Sequence, residues 1–106
     1  MRILFDQGTP VPLRELLVGH QVATAYELGW STLTNGQLLQ AAQTAGFEVL
    51  VTTDRNLRYQ QNLTDRRIAV LVLGTTSWPR IRAVAGDVAN ALTRCLPGSY
   101  LEVPIP

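Results

Sequence analysis

The sequence predicts an α/β fold, a three-layer α/β/α sandwich around a mostly parallel central sheet, and three observations lead there. Short apolar runs alternate with stretches of helical periodicity along the whole chain. The clearest runs, 47–52 and 68–73, are apolar almost throughout instead of alternating, as interior parallel strands covered on both faces are. Turn and capping signals stand between them. The 106 residues make a single domain, 1–106, able to bury roughly two-thirds of the surface its unfolded chain would expose.

Taken in order, residues 2–5 read as a buried strand, and Gln7-Gly8-Thr9-Pro10 turns the chain into a short helix over 12–17. Residues 20–25 form the second strand candidate, with β-branched Val22 and Thr24. Thr34-Asn35-Gly36-Gln37 matches a capping box, and Leu38, Leu39, Ala42 and Ala45 follow at helical spacing, so a helix runs from there to about Gly46. After the strands at 47–52 and 68–73, Ser77-Trp78-Pro79 opens the longest helix. Ile81, Val84, Ala85, Val88, Leu92 and Cys95 share its inner face, and Pro97-Gly98 ends it. A last strand, 100–103, stops at Pro104, which suits an edge.

Composition removes several function classes. No apolar run approaches the ~18 residues of a membrane span, so no membrane role is expected. Residues 1–6 lack the pattern of a secretory signal, and the lone Cys95 offers no intrachain disulfide; both point to the cytoplasm. Net charge is only +1, which argues against broad electrostatic coating of nucleic acid. All nine basic residues are arginine. Without lysine there is no P-loop, no Schiff base and no rim lysine of a phosphoacceptor receiver domain. Chemistry must rest on carboxylates, hydroxyls, amides or a metal.

Two acids stand where apolar runs end: Asp6 after residues 2–5 and Asp54 after residues 47–53. In an open α/β sheet the ligand crevice lies beyond the carboxyl ends of the strands, so the pair is expected to share a rim and hold a divalent cation. The alternative is that each caps the turn that follows it. Directly after Asp54, the stretch from Arg55 to Asn62 combines arginines with an aromatic ring and amides, which suits single-stranded RNA: Arg55 and Arg58 for phosphates, Tyr59 for a base. An ordinary polar segment anchored by Leu57 and Leu63 is the competing reading. Glu27, following the second strand, reads as a solvated loop residue or as a further candidate acid at that edge, Gly74 to Ser77 as a hydroxyl-rich rim or helix cap, Cys95 and Trp78 as packing groups, and Trp30 as core or interface.

Ile-Leu-Phe-Asp-Gln at 3–7, Glu-Leu-Gly-Trp at 27–30, Asn-Gly-Gln-Leu-Leu at 35–39 and Thr-Thr-Asp-Arg-Asn-Leu at 52–57 together resemble a small bacterial PIN-like family of unknown function, related to the PIN-domain ribonuclease toxins of toxin–antitoxin modules. The resemblance implies acids gathered at the carboxyl edge of a parallel sheet to bind Mg2+ or Mn2+ for hydrolysis of RNA, with Asp6 and Asp54 catalytic. It further implies that Asn35 and Asn56 occupy positions where relatives carry acids. An amide carbonyl can ligate a metal without adding charge, so weak metal binding is expected. The implied partners are RNA, an antitoxin protein and a second copy in a homodimer. The competing function is a PIN-like module that binds RNA or protein without cleaving it.

Overall fold

Five parallel strands form the middle layer of the computed structural model, which describes residues 1–57 and 66–106. They are β1 (Arg2–Phe5), β2 (Gln21–Thr24), β3 (Val49–Thr52), β4 (Ala69–Leu73) and β5 (Tyr100–Val103), in the order β2-β1-β3-β4-β5. The expected α/β architecture with its parallel sheet is what the chain adopts, and the register is tight: Phe5 pairs with Val51, and Val51 with Leu71.

Alternation along these strands divides the core in two. Ile3, Phe5, Val49, Val51, Leu71 and Leu73 face one side, where they meet Leu13, Ile81, Val88 and Leu92. Leu4, Leu50, Val70 and Val72 face the other and meet Leu38, Leu39 and Ala42 of helix α1 (Asn35–Thr44). Covering on both faces is the physical reason that β3 and β4 are buried at every position, apolar throughout except for Thr52 at the end of β3. The α1 capping box is complete, with Thr34 Oγ1 accepting from Gln37 N and Gln37 Oε1 accepting from Thr34 N.

Two helical expectations are corrected. The segment after the first turn is a 3-10 helix, Val11–Leu16, in which one turn buries only Leu13. The long helix is two short ones, α2 (Trp78–Ala83) and α3 (Ala85–Thr93). Val84 leaves helical geometry at φ −121°, ψ 26°; its N–H closes α2 on Ile81 O and Arg82 O while its carbonyl starts α3 by accepting from Asp87 and Val88. The break still buries Ile81, Val88 and Leu92 on one side, so the apolar periodicity survives an interruption it does not reveal.

The connections carry a topological signature. The 3-10 helix and the α2–α3 pair cover the same face, yet β1 to β2 runs across the sheet in one direction and β4 to β5 in the other. The α1 crossover, on the opposite face and running from β2 over β1 to β3, has the hand of the first connection. The last crossover therefore has the opposite hand to the first two, so the connections do not all share the single hand usual in parallel sheets.

β2 is an edge strand. Gln21 and Ala25 donate inward to Met1 O and Phe5 O, so the main-chain groups of Val22 and Thr24 face outward. Arg14 Nη1 lies 3.4 Å from Val22 O, Glu27 Oε1 accepts from Thr24 N at 3.0 Å, and Arg14 and Glu27 are themselves paired at 2.7 Å.

Candidate functional site

β1 is followed by a strand on one side of it and β3 by a strand on the other, so the order reverses between β1 and β3. This is where doubly wound sheets bind ligands, at the carboxyl ends of the strands. Asp6 is the first residue after β1 and Asp54 the second after β3. The parallel ladder continues one step past β1, with Asp6 N donating to Val51 O at 3.1 Å, which sets the Asp6 side chain beside Thr52.

Asp6 is held by two buried threonines. Thr9 Oγ1 lies 2.8 Å from Asp6 Oδ1 and 3.0 Å from Val51 O, and Thr52 Oγ1 donates to Asp6 Oδ2. Thr52 Oγ1 also accepts from Asp54 N at 3.1 Å, so one fully buried hydroxyl ties the Asp6 carboxylate to the backbone of the second acid. Burial pushes the Asp6 carboxyl above its ordinary value, against the lowering influence of the Thr52 and Thr9 hydroxyls and the nearby backbone N–H groups. Gly8 leaves room for this packing: a Cβ there would sit 2.5 Å from Thr53 Oγ1.

Asp54 is bound from the other side. Asn35 Nδ2, at the first residue of α1, donates to Asp54 Oδ2 at 3.1 Å, and Asn56 N donates to Asp54 Oδ1 at 2.9 Å. Asp54 thus also nucleates the turn after it, so the capping role weighed from sequence coexists with the rim position. Asp6 and Asn35 both line a cavity of about 120 Å³ with Gly8, Trp30 and Leu38, large enough for several waters. Asp6, Thr52, Asp54 and Asn35 are accordingly one hydrogen-bonded chain at the switch point.

Arg55 goes elsewhere. Its Nη2 donates to Gly74 O at 2.8 Å, and it lines a separate cavity of about 330 Å³ with Glu102 and Pro104 at the β4 and β5 ends. Arg58 and Tyr59 lie outside the described residues. Ser77 makes no side-chain cap on α2; its N–H instead donates to Thr75 Oγ1 at 3.1 Å. Trp30 is half-buried and meets Phe47 edge to face at 6.2 Å, which makes it a core residue. Trp78 and Cys95 pack against the opposite core.

Thr9, Thr52 and the Arg14–Glu27 pair are what sequence reasoning missed. Thr9 stands three residues after Asp6, the spacing of local side-chain bonding, and Thr52 stands two before Asp54, so both signals were present in the Asp-x-x-Thr and Thr-x-Asp patterns. Glu27, expected as a solvated loop acid, is held below its ordinary pKa by the Arg14 guanidinium and the Thr24 backbone N–H. It lies on a larger cleft of about 590 Å³ that also takes in Asp6, Gln7, Thr9, Arg14 and Tyr26.

No protein-family model matches the chain, and no curated protein or solved structure does. The donor set itself can be tested against the cation that the resemblance implies. The Asp6 carboxylate takes the Thr9 and Thr52 hydroxyls and the nearby Gly8 and Thr9 N–H groups, whereas each Asp54 oxygen accepts one described hydrogen bond and can take a further interaction. Among the described residues, no group of three or more His, Cys, Asp or Glu is placed to hold a metal. Two protein acids are as many as Mg2+ sites commonly use when water and substrate phosphate take the remaining positions. No described helix is long and apolar enough to cross a membrane.

Proposed function

We propose that this chain is a PIN-like phosphodiesterase that hydrolyses RNA in the cytoplasm with a weakly bound Mg2+ or Mn2+ ion. The observation that carries the reading is the chain from Asp6 through Thr52 and Asp54 to Asn35 at the sheet's switch point. A divalent cation supplies a nucleophilic water at neutral pH and offsets charge on the phosphodiester. Asp6 and Asp54 supply the negative charge that would hold it, Thr9 and Thr52 fix the Asp6 carboxylate, and Asn35 orients Asp54. The toxin role and an antitoxin partner rest on the sequence resemblance alone.

A second reading, a PIN-like module that binds without cleaving, is favoured by one observation: an amide, Asn35, stands against Asp54 where a further acid would add charge. One experiment separates the two. Asp6→Asn and Asp54→Asn should each abolish metal-dependent cleavage of single-stranded RNA, and Mn2+ at about ten times its dissociation constant should stabilise the wild type by roughly 1.4 kcal/mol. That corresponds to a melting rise of about 6–11 °C. Asp54→Asn should lose most of the rise, while Glu48→Gln, an exposed acid before β3, should keep it. Wild type without cleavage above these variants under any metal means that the binding reading holds; an equal thermal rise in wild type and Asp54→Asn means that there is no specific cation site here.

A further inference from the structure

The largest cleft next to the site has a composition unlike that of a phosphate pocket. It is lined by Asp6, Glu27 and Arg14, so its formal charge is negative, and an anionic group would be repelled from it. Tyr26, 78% exposed, and Val11, 46% exposed, add an aromatic and an aliphatic side chain to its lining. Arg14 spends only Nη1 on Val22 O and Glu27 Oε1, and Glu27 spends only Oε1 on Arg14 and Thr24 N. Arg14 Nε and Nη2 have no partner among the described residues. The cleft therefore sets spare donors beside the Glu27 carboxylate, with Tyr26 and Asp6 lining the same space.

We infer that this cleft, of about 590 Å³, is a nucleobase subsite, in which a base of the RNA strand stacks on Tyr26 and presents its edge to Arg14 and Glu27 while the adjoining phosphate lies at Asp6 and Asp54. The inference rests on the phosphodiesterase reading for the phosphate and on the cleft alone for the base. A base is neutral and flat, carries hydrogen-bond donors next to acceptors on its edge, and stacks on aromatic side chains. The volume is in the range of small-ligand pockets.

Tyr26 is the residue to test, because Arg14 and Glu27 also close the β2 edge and their replacement would change the fold locally. Binding of a short fluorescent single-stranded RNA, followed by anisotropy at low salt with Ca2+ in place of Mg2+ or Mn2+, separates the subsite from turnover while leaving a cation to offset the charge of the two acids. Tyr26→Ala should weaken binding about 5- to 150-fold, the range for loss of one base-stacking ring, whereas Tyr26→Phe and the exposed control Val18→Ala should bind as wild type does. Equal binding by wild type and Tyr26→Ala, or no binding by wild type, overturns the subsite. Tyr26-dependent binding by a protein that cleaves nothing under any metal sustains the subsite and defeats the nuclease reading; cleavage and binding that are indifferent to Tyr26 do the reverse.

Discussion

Replacing Thr52 by valine removes one oxygen and almost no volume, so it isolates what that hydroxyl does. Thr52 is fully buried, donates to Asp6 and accepts from Asp54 N. A hydrogen bond to a charged group contributes about 1.5–3 kcal/mol, and leaving a partly buried N–H without its acceptor costs about 1–3 kcal/mol more, reduced where water reaches it. Together these give a loss of about 2–4 kcal/mol at pH 7, or roughly 8–32 °C in melting temperature for a domain of this size. Thr52→Ser keeps the hydroxyl and gives up a methyl, a loss of about 1 kcal/mol. The hydroxyl stabilises the charged form of Asp6, so the cost of Thr52→Val should shrink once acid protonates that carboxyl. Urea denaturation of the three proteins at neutral and acidic pH measures both effects. If Thr52→Val is as stable as Thr52→Ser at pH 7, the hydroxyl is not the tie between the two acids.

Two further outcomes follow from the same geometry. Asp6 has a folded pKa above its unfolded one, so its contribution is fully present below the unfolded pKa and is lost as pH rises through the folded value. In chelator, Asp6→Asn should therefore gain stability relative to wild type across that window and hold the gain at neutral pH; a gain that appears only on acidification would contradict the burial of this carboxylate. Gly98 has φ +75° and a Cβ there would lie 2.7 Å from Arg66 O, so Gly98→Ala should cost roughly 2 kcal/mol or more, whereas Gly86→Ala, in α3 with open space around it, should add about 0.5–1 kcal/mol. Thermal melts of the two variants check the contrast.

The layers of the fold were legible because burial writes itself into composition: β3 and β4 are buried at every position and apolar at all but Thr52, since helices or helical turns cover both faces. The capping box of α1 was legible because it is a local pattern of four residues. The break at Val84 was not, because it preserves the inner face on which periodicity depends and carries no proline or glycine of its own. At the rim, Asp6 and Asp54 could be placed from strand ends alone. Their tie through Thr52 could not, because it needs the β1–β3 register that brings residues 46 positions apart into contact. Arg55 shows the converse, since its place beside Asp54 in sequence says nothing of the Gly74 carbonyl that it reaches.

The Arg14–Glu27 pair across the outer side of β2 bears on how this protein behaves among its own copies. A parallel edge strand with free amides and carbonyls is a template on which another chain can continue the sheet. Here two of the outward groups are already occupied, Val22 O by the guanidinium and Thr24 N by the carboxylate. At the far edge, Pro104 follows β5 and has no N–H to offer. As a surface ion pair, Arg14–Glu27 adds little to thermodynamic stability, about 0–1 kcal/mol. Its larger effect is at the edge itself, where it occupies two of the main-chain groups on which a neighbouring strand would otherwise pair.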